Sequence, residues 1–109
     1  MKVEWLTAAE DDLREIARQV SLNFGFDTAE HAVASVVAET DHLADFPEIG
    51  RLCDEYQGAN HQYRALHTRH DRIVYTIIDN NVLIVAVFDN RRDPAALTRL
   101  LRGREKEIV

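Results

Sequence analysis

The sequence is poor in the residues that would place a protein outside the cell or in a membrane. Its single cysteine, Cys53, cannot form an internal disulfide, which fits a reducing cytoplasm. No run of about 18 apolar residues occurs, so a transmembrane helix is not expected. The first twelve residues turn acidic at once and lack the basic-then-apolar order of a secretory signal. The sequence therefore predicts a cytoplasmic protein, with Cys53 as a small, half-buried apolar residue.

Metal-binding patterns are also scarce. No Cys/His spacing resembles a zinc site. Asp27 and His31 share a helical face, as do Asp41 and Asp45, but a solvated acidic face explains each pair better than a metal site. We therefore expect neither a metal nor a cofactor.

Lysine is rare as well, and the charges are unevenly divided. Eleven of the thirteen cationic side chains are arginine, and the formal net charge is −6. Residues 1–58 carry 4 basic and 13 acidic side chains, whereas residues 59–109 carry 9 basic and 6 acidic. Arginine offers a planar, forked donor for carboxylate or phosphate. This polarity suggests an acidic ligand docking on one rim, and the alternative is that the two halves neutralise each other within the fold.

The first half of the chain predicts a short strand followed by two helices. Lys2 to Leu6 has strand character, and Thr7 with Glu10 has the spacing of a capping box that begins a helix over Ala8–Phe24. Apolar residues up to and including Phe24 fall on one face of this helix, and Gly25 is suited to end it. A linker of about three residues leads to a second helix, capped by Asp27 or Thr28 and ended by Phe46-Pro47.

The second half predicts a small sheet. Three strands are expected, at about Gln62 to Thr68, at Arg72 to Ile78, and at Val82 to Phe88, where every position is apolar. Before them, Arg51-Leu52-Cys53 could pair briefly at an edge of the sheet. The Asp79-Asn80-Asn81 sequence tolerates positive φ and favours a hairpin turn. Asp93 and Pro94 then begin a short last helix. The predicted fold class is α+β, in the order β-α-α-β-β-β-short α.

This order implies a small, largely antiparallel sheet with an antiparallel helical hairpin on one face. Residues 1–109 are expected to form one domain, with 102–109 as a frayed tail. The inner strand is apolar on both sides, and the helical hairpin covers only one face. The last helix is expected to cover part of the second face. Because small domains avoid large apolar patches in water, the rest of that face predicts a binding partner.

Several short segments between about residues 3 and 101 form a recognisable series in the order of the chain. They are Val3-Glu4-Trp5, Ala8-Ala9, Asp12-Leu13, Ile16, Leu43, Phe46-Pro47-Glu48-Ile49-Gly50-Arg51, Tyr63-Arg64-Ala65-Leu66, Arg72-Ile73-Val74-Tyr75, Val85-Ala86-Val87-Phe88 and Asn90-Arg91-Arg92-Asp93-Pro94. In this order they resemble the RelE/ParE superfamily of bacterial type II toxin–antitoxin toxins, nearer its ParE or plasmid-stabilisation branch.

The resemblance implies one of two activities. ParE-like members inhibit DNA gyrase and are not hydrolases, whereas RelE-like members cut messenger RNA on the ribosome. In both, the C-terminal segment of a cognate antitoxin wraps the toxin, and DNA is contacted through the antitoxin. An interaction domain of the same fold that has lost its activity is a third alternative.

The residues favour the gyrase alternative, because few groups suited to RNA cleavage are present. No Tyr or His follows Tyr75, and the acidic net charge weakens attraction to ribosomal RNA. The gyrase interpretation needs no catalytic residue, and it predicts a partner-binding set of Arg64, Arg72, Arg91 and Arg92. The RNase interpretation instead requires His67, His70, Arg64 and Arg91 as catalytic groups.

Overall fold

A computed structural model describes residues 1–108. Its elements follow the order β1 Lys2–Trp5, α1 Thr7–Phe24, α2 Phe26–His42, β2 Arg51–Leu52, β3 Tyr63–His67, β4 Asp71–Ile78, β5 Asn81–Asp89 and α3 Pro94–Glu105. This order confirms the predicted α+β class, and the brief edge strand at Arg51–Leu52 confirms the pairing expected there. Within residues 1–108, none of the helices is long and apolar enough to cross a membrane.

The five strands form one mixed sheet in the order β1-β5-β4-β3-β2. β1 runs parallel to β5, with Lys2 opposite Asn81, and the other pairs are antiparallel. Asp79 and Asn80 have φ angles of 50° and 63°, which confirms that the β4–β5 turn needs residues that tolerate positive φ. β5 therefore lies inside the sheet, as its apolar sequence predicts.

β1 is too short to pair with the whole of β5. Its last partner is Ile84, and two side chains then satisfy the β5 backbone beyond that point. The Val87 N–H donates to an Asp12 carboxylate oxygen at 3.0 Å, and Arg104 donates to the Val85 carbonyl at 2.8 Å. Arg104 also donates to both carboxylate oxygens of Asp12. This buried ion pair therefore supplies the hydrogen bonds that a longer β1 would make with β5.

One face of the sheet packs against α1 and α2. The apolar stripes of both helices meet the strands in a core cluster that consists of Ala9, Val36, Leu43, Ile73, Tyr75, Val82, Ile84 and Val87. Tyr75 is fully buried, and its hydroxyl accepts a hydrogen bond of 2.9 Å from the Gly50 N–H, which anchors the turn before β2. Tyr75 is therefore a packing residue of the core.

The second face is covered by the chain itself, which corrects the expectation of an open apolar face. Leu97 and Leu101 of α3 are fully buried against β5, and Cys53 is 2% exposed beneath the segment that leads to Tyr63. α3 shares the cover of this face with Tyr56, in the segment before β3, and with Ile108, which belong to or pack against the same core cluster. The need to hide an apolar face therefore gives no argument for a partner.

The tail also differs from the prediction. Residues Arg102 to Ile108 are ordered rather than frayed, since α3 continues to Glu105 and Ile108 is only 8% exposed. The pairing of Arg104 with Asp12 and the apolar contact of Ile108 hold this segment against the core. Val109 lies outside the described residues.

The helix starts depart from the capping predictions. Thr7 is the first residue of α1 rather than its cap, Leu6 precedes it, and no side chain caps the helix. Gly25 alone joins the helices, with φ 94°, so neither Asp27 nor Thr28 caps α2 and the predicted three-residue linker is wrong. A single glycine suffices because it adopts positive φ without strain. Asp93, by contrast, caps α3 as predicted, accepting from Ala95 N–H at 3.0 Å.

Candidate partner-binding surfaces

The two arginines after β5 are exposed but held in place. Arg91 donates through Nε and Nη2 to the Asp89 carboxylate, at 3.1 and 2.7 Å, while 79% of its side chain stays exposed. Hydrogen bonding to Arg91 lowers the pKa of Asp89 below its usual value. The guanidinium of Arg92 lies 4.7 Å from the centre of the buried Phe88 ring. Both guanidinium groups are therefore displayed in defined positions.

The β3–β4 turn lies beside these arginines. The Asn90 N–H donates to the His70 carbonyl at 3.0 Å, so the exposed Arg69 and His70 adjoin the exposed Arg91 and Arg92. We call these four residues the cationic end. Its position contrasts with α1 and α2, whose surface carries most of the acidic side chains of the first half.

Two carboxylates, Asp71 and Asp89, lie next to the cationic end at the adjoining ends of β4 and β5. Asp71 is 7% exposed and lies directly opposite Asp89 across β4 and β5. Burial and then the charge of Asp89 raise the pKa of Asp71, whereas Arg91 keeps Asp89 ionised. Of the two carboxyl groups, Asp71 is therefore the one that protonates first as the pH falls.

Two of the four arginines predicted to bind a partner have internal roles. Arg72 forms a half-buried ion pair with Glu55. Burial is the largest single influence on Glu55 and opposes its ionisation, but the hydrogen bonds that the carboxylate accepts and the charge of Arg72 together outweigh burial and lower the pKa of the carboxyl. Arg64 donates to the Gly50 carbonyl at 2.8 Å and joins β3 to the turn before β2. The structure thus places only Arg91 and Arg92 of the predicted set together at an exposed site.

The four groups that RNA cleavage would require are spread out. His67 and His70 are both exposed, and the Asn90–His70 hydrogen bond brings His70 near Arg91. Arg64, however, lies three residues before His67 on β3, about 10 Å away along the strand and on the opposite side. The described part of the chain also contains no group of three potential metal ligands.

A groove of about 620 Å³ runs beside the edge strand β1. It lies between β1 and the two long helices, and its lining residues are Lys2, Val3, Glu4, Trp5, Glu10, Leu13, Arg14, Ala17, Val33 and Val37. β1 is the outermost strand of the sheet on this side. An edge strand next to apolar side chains is suited to accept an extended peptide segment from a partner.

The exposed apolar residues at the tip of the helical hairpin were not predicted. Leu22, Phe24 and Phe26 are 72%, 68% and 68% exposed, although Phe24 was expected to continue the buried stripe. The stripe ends early because the sheet does not extend beneath the last turn of α1. The available signal was the Phe-Gly-Phe sequence, since a one-residue turn directs its two neighbours to different sides.

A buried polar cluster links α3 to the loop before β3. His61 Nδ1 contacts a carboxylate oxygen of Glu105, and Gly58 packs against the other oxygen. That second oxygen and the buried Tyr63 hydroxyl make no hydrogen bond to any residue in 1–108. Burial and then Glu105 raise the pKa of Tyr63. The cluster lies under the surface, so it supports the fold and offers no open binding site.

Comparison with known proteins agrees with this architecture. Residues 3–94 match the family model described as the ParE toxin of the type II toxin–antitoxin system parDE. The chain therefore belongs to the ParE toxin family. A solved structure described as the chromosomal ParDE TA system from P. aeruginosa is 18% identical, with a TM-score of 0.66 over 82% of this chain and 95% of that one. At that identity the likeness concerns the fold. No curated protein sequence gives a significant match.

Proposed function

We propose that this type II toxin arrests growth by binding and inhibiting DNA gyrase in the cytoplasm, and that it is not an enzyme. The cationic end carries the proposal. Arg91 and Arg92 are exposed and pre-positioned, so little side-chain freedom is lost when a partner binds them. Carboxylates on a protein surface are the natural complement of two such guanidinium groups.

The RNA endonuclease alternative receives less support. It needs a general base, a general acid and cations around one phosphate. Of its four groups, His70 and Arg91 are neighbours, whereas the Arg64 guanidinium is engaged with the Gly50 carbonyl. An inactive interaction domain would leave the exposed arginines without a role.

The groove beside β1 is the proposed site of the antitoxin. An extended C-terminal segment of the antitoxin would pair with the free edge of β1 and place apolar side chains against Leu13, Val33 and Val37. DNA binding by the complex would then rest with the antitoxin. This placement leaves the cationic end on a different part of the surface, so the two partners need not share residues.

The test is a gyrase supercoiling assay with purified toxin. The double variant Arg91→Ala/Arg92→Ala should inhibit at least about tenfold more weakly than the wild type, which is typical of losing two central interface arginines. The matched control is Arg14→Ala/Arg18→Ala, which removes two exposed, carboxylate-paired arginines from α1 and should inhibit normally. Circular dichroism should be unchanged in both variants.

Other results would contradict the proposal. Full inhibition by the Arg91/Arg92 variant would show that the cationic end is not the working surface. Growth arrest with rapid loss of translation, and no effect on supercoiling, would favour the RNA endonuclease. Expression without any growth arrest would favour the inactive interaction domain.

A further inference from the structure

Two phenylalanines at the tip of the helical hairpin form a natural pair for comparison. Phe24 and Phe26 flank Gly25, and each is 68% exposed. Gly25 adopts φ 94°, and its N–H donates to the Ser21 carbonyl at 3.0 Å, so the turn is well defined. The chain reverses within one residue, and the two rings are consequently presented to different surroundings.

The surroundings of the two rings differ in charge. Phe24 lines a shallow crevice with Asn23 and with Asp89 and Arg91 from the end of β5. Phe26 lies on the other side of the hairpin beside Asp27, Glu30 and His31 of α2. Of the two, Phe24 is therefore the ring that continues the cationic end as an apolar patch.

An exposed aromatic ring next to an exposed arginine has the composition of an interface hot spot. Both members are held by the fold, since Arg91 is fixed by Asp89 and Phe24 closes the last turn of α1. A second copy of this chain is a poor occupant, because the Thr7–His42 hairpin carries 8 acidic and 2 basic side chains and would repel itself. The fitting partner presents an apolar pocket bordered by carboxylates.

We infer that Phe24 and Arg91 together form the anchor by which the toxin holds the protein it inhibits. The ring enters an apolar pocket of that protein, and the guanidinium pairs with a carboxylate at the rim of the pocket. The inference rests on the proposed function, because it requires a protein target. It adds Phe24 to the surface of the toxin that binds this target, which the proposed function assigned only to arginines.

The experiment compares Phe24→Ala with Phe26→Ala in two measurements, growth arrest on induced expression and inhibition of gyrase supercoiling. Phe24→Ala should weaken both by about tenfold or more. Phe26→Ala removes an equally exposed ring of the same type and should behave as wild type. The combination of Phe24→Ala with Arg91→Ala should lose less than the product of the single effects, because neighbouring anchors are coupled. Urea denaturation should show both single variants folded with near wild-type stability.

The possible results distinguish failure of the proposed anchor from failure of the proposed gyrase target. Full arrest by Phe24→Ala, or equal loss in both phenylalanine variants, would overturn the anchor. A Phe24→Ala toxin that arrests growth normally but escapes the antitoxin encoded beside it would also overturn it, assigning the ring to the antitoxin. If the wild type arrests growth without affecting gyrase, the proposed target fails, and selective loss of arrest in Phe24→Ala still supports the anchor. A wild type that does not arrest growth overturns both.

Discussion

The two faces of the sheet are covered in different ways. Under α1 and α2 the contact is apolar, and the charged pairs made within α1, such as Arg18 with Glu15, lie in solvent with side chains 60% and 52% exposed. Under α3, two polar pairs accompany the apolar contact: Arg104 with Asp12, which joins α3 to α1, and His61 with Glu105, and their side chains are only 12–16% exposed. Apolar packing alone stabilises the α1–α2 side, whereas apolar packing and specific polar pairs together stabilise the α3 side.

This difference explains what the sequence could predict. The helical stripes of α1 and α2, the inner strand β5 and the Asp79–Asn80 turn are local signals, and the structure confirms them. Asp12 and Arg104 are 92 residues apart, and His61 and Glu105 are 44 apart. No periodicity links such residues, so the pairing of Arg104 with Asp12 and the complete cover of the second face could not be predicted.

The candidate site divides in the same way. The Asn90-Arg91-Arg92-Asp93-Pro94 cluster predicted an exposed cationic turn because Asp93 and Pro94 begin a helix at a fixed distance from β5. The engagement of Arg72 with Glu55, and of Arg64 with Gly50, depends on how the loop before β3 folds back. The exposure of Phe24 depends on where the sheet ends, and the apolar periodicity of α1 contains no information about that position.

The largest effect on stability is expected from removing the ion pair of Asp12 and Arg104, which satisfies the β5 backbone beyond the end of β1. Asp12→Ala should lower the free energy of unfolding by about 3 kcal/mol, because it leaves Arg104 buried without its partner and frees the Val87 N–H. Urea denaturation measures the loss. Asp11→Ala, which removes the neighbouring exposed pair with Arg14, should cost less than about 0.5 kcal/mol. Equal costs would mean that the two faces do not differ in this respect.

Smaller changes in stability are expected at two glycines on the α3 side, and the two changes should have opposite signs. Gly58→Ala would place a methyl group against the Glu105 carboxylate held by His61, and should destabilise the fold by about 1–3 kcal/mol. Gly103→Ala adds a methyl group within α3 where nothing lies within 4 Å, and should stabilise it by about 0.5–1 kcal/mol. Thermal unfolding of the two variants tests this. A stabilising Gly58→Ala would show that the Glu105 carboxylate is not tightly held.

The smallest effect concerns the like-charged pair of Asp71 and Asp89. Asp71→Asn should raise the free energy of unfolding at pH 7 by about 0.5–1 kcal/mol, since it removes a buried charge opposite another carboxylate. The folded state raises the pKa of Asp71 above its ordinary 3.8, so the wild type loses stability as pH rises from 3.8 through the folded value. The advantage of the variant should therefore vanish below about pH 3.8 in urea titrations at several pH values. An advantage that persists at low pH would contradict the electrostatic cause.

The pairing of β1 with β5 also bears on how the protein folds. Lys2 lies opposite Asn81, so β1 has no strand partner until β5, 79 residues further along the chain, has been made. The hairpin of β4 and β5, by contrast, closes through a turn at Asp79 and Asn80. Because contacts between residues distant in sequence form slowly, we expect β1 to join the sheet after this hairpin has formed.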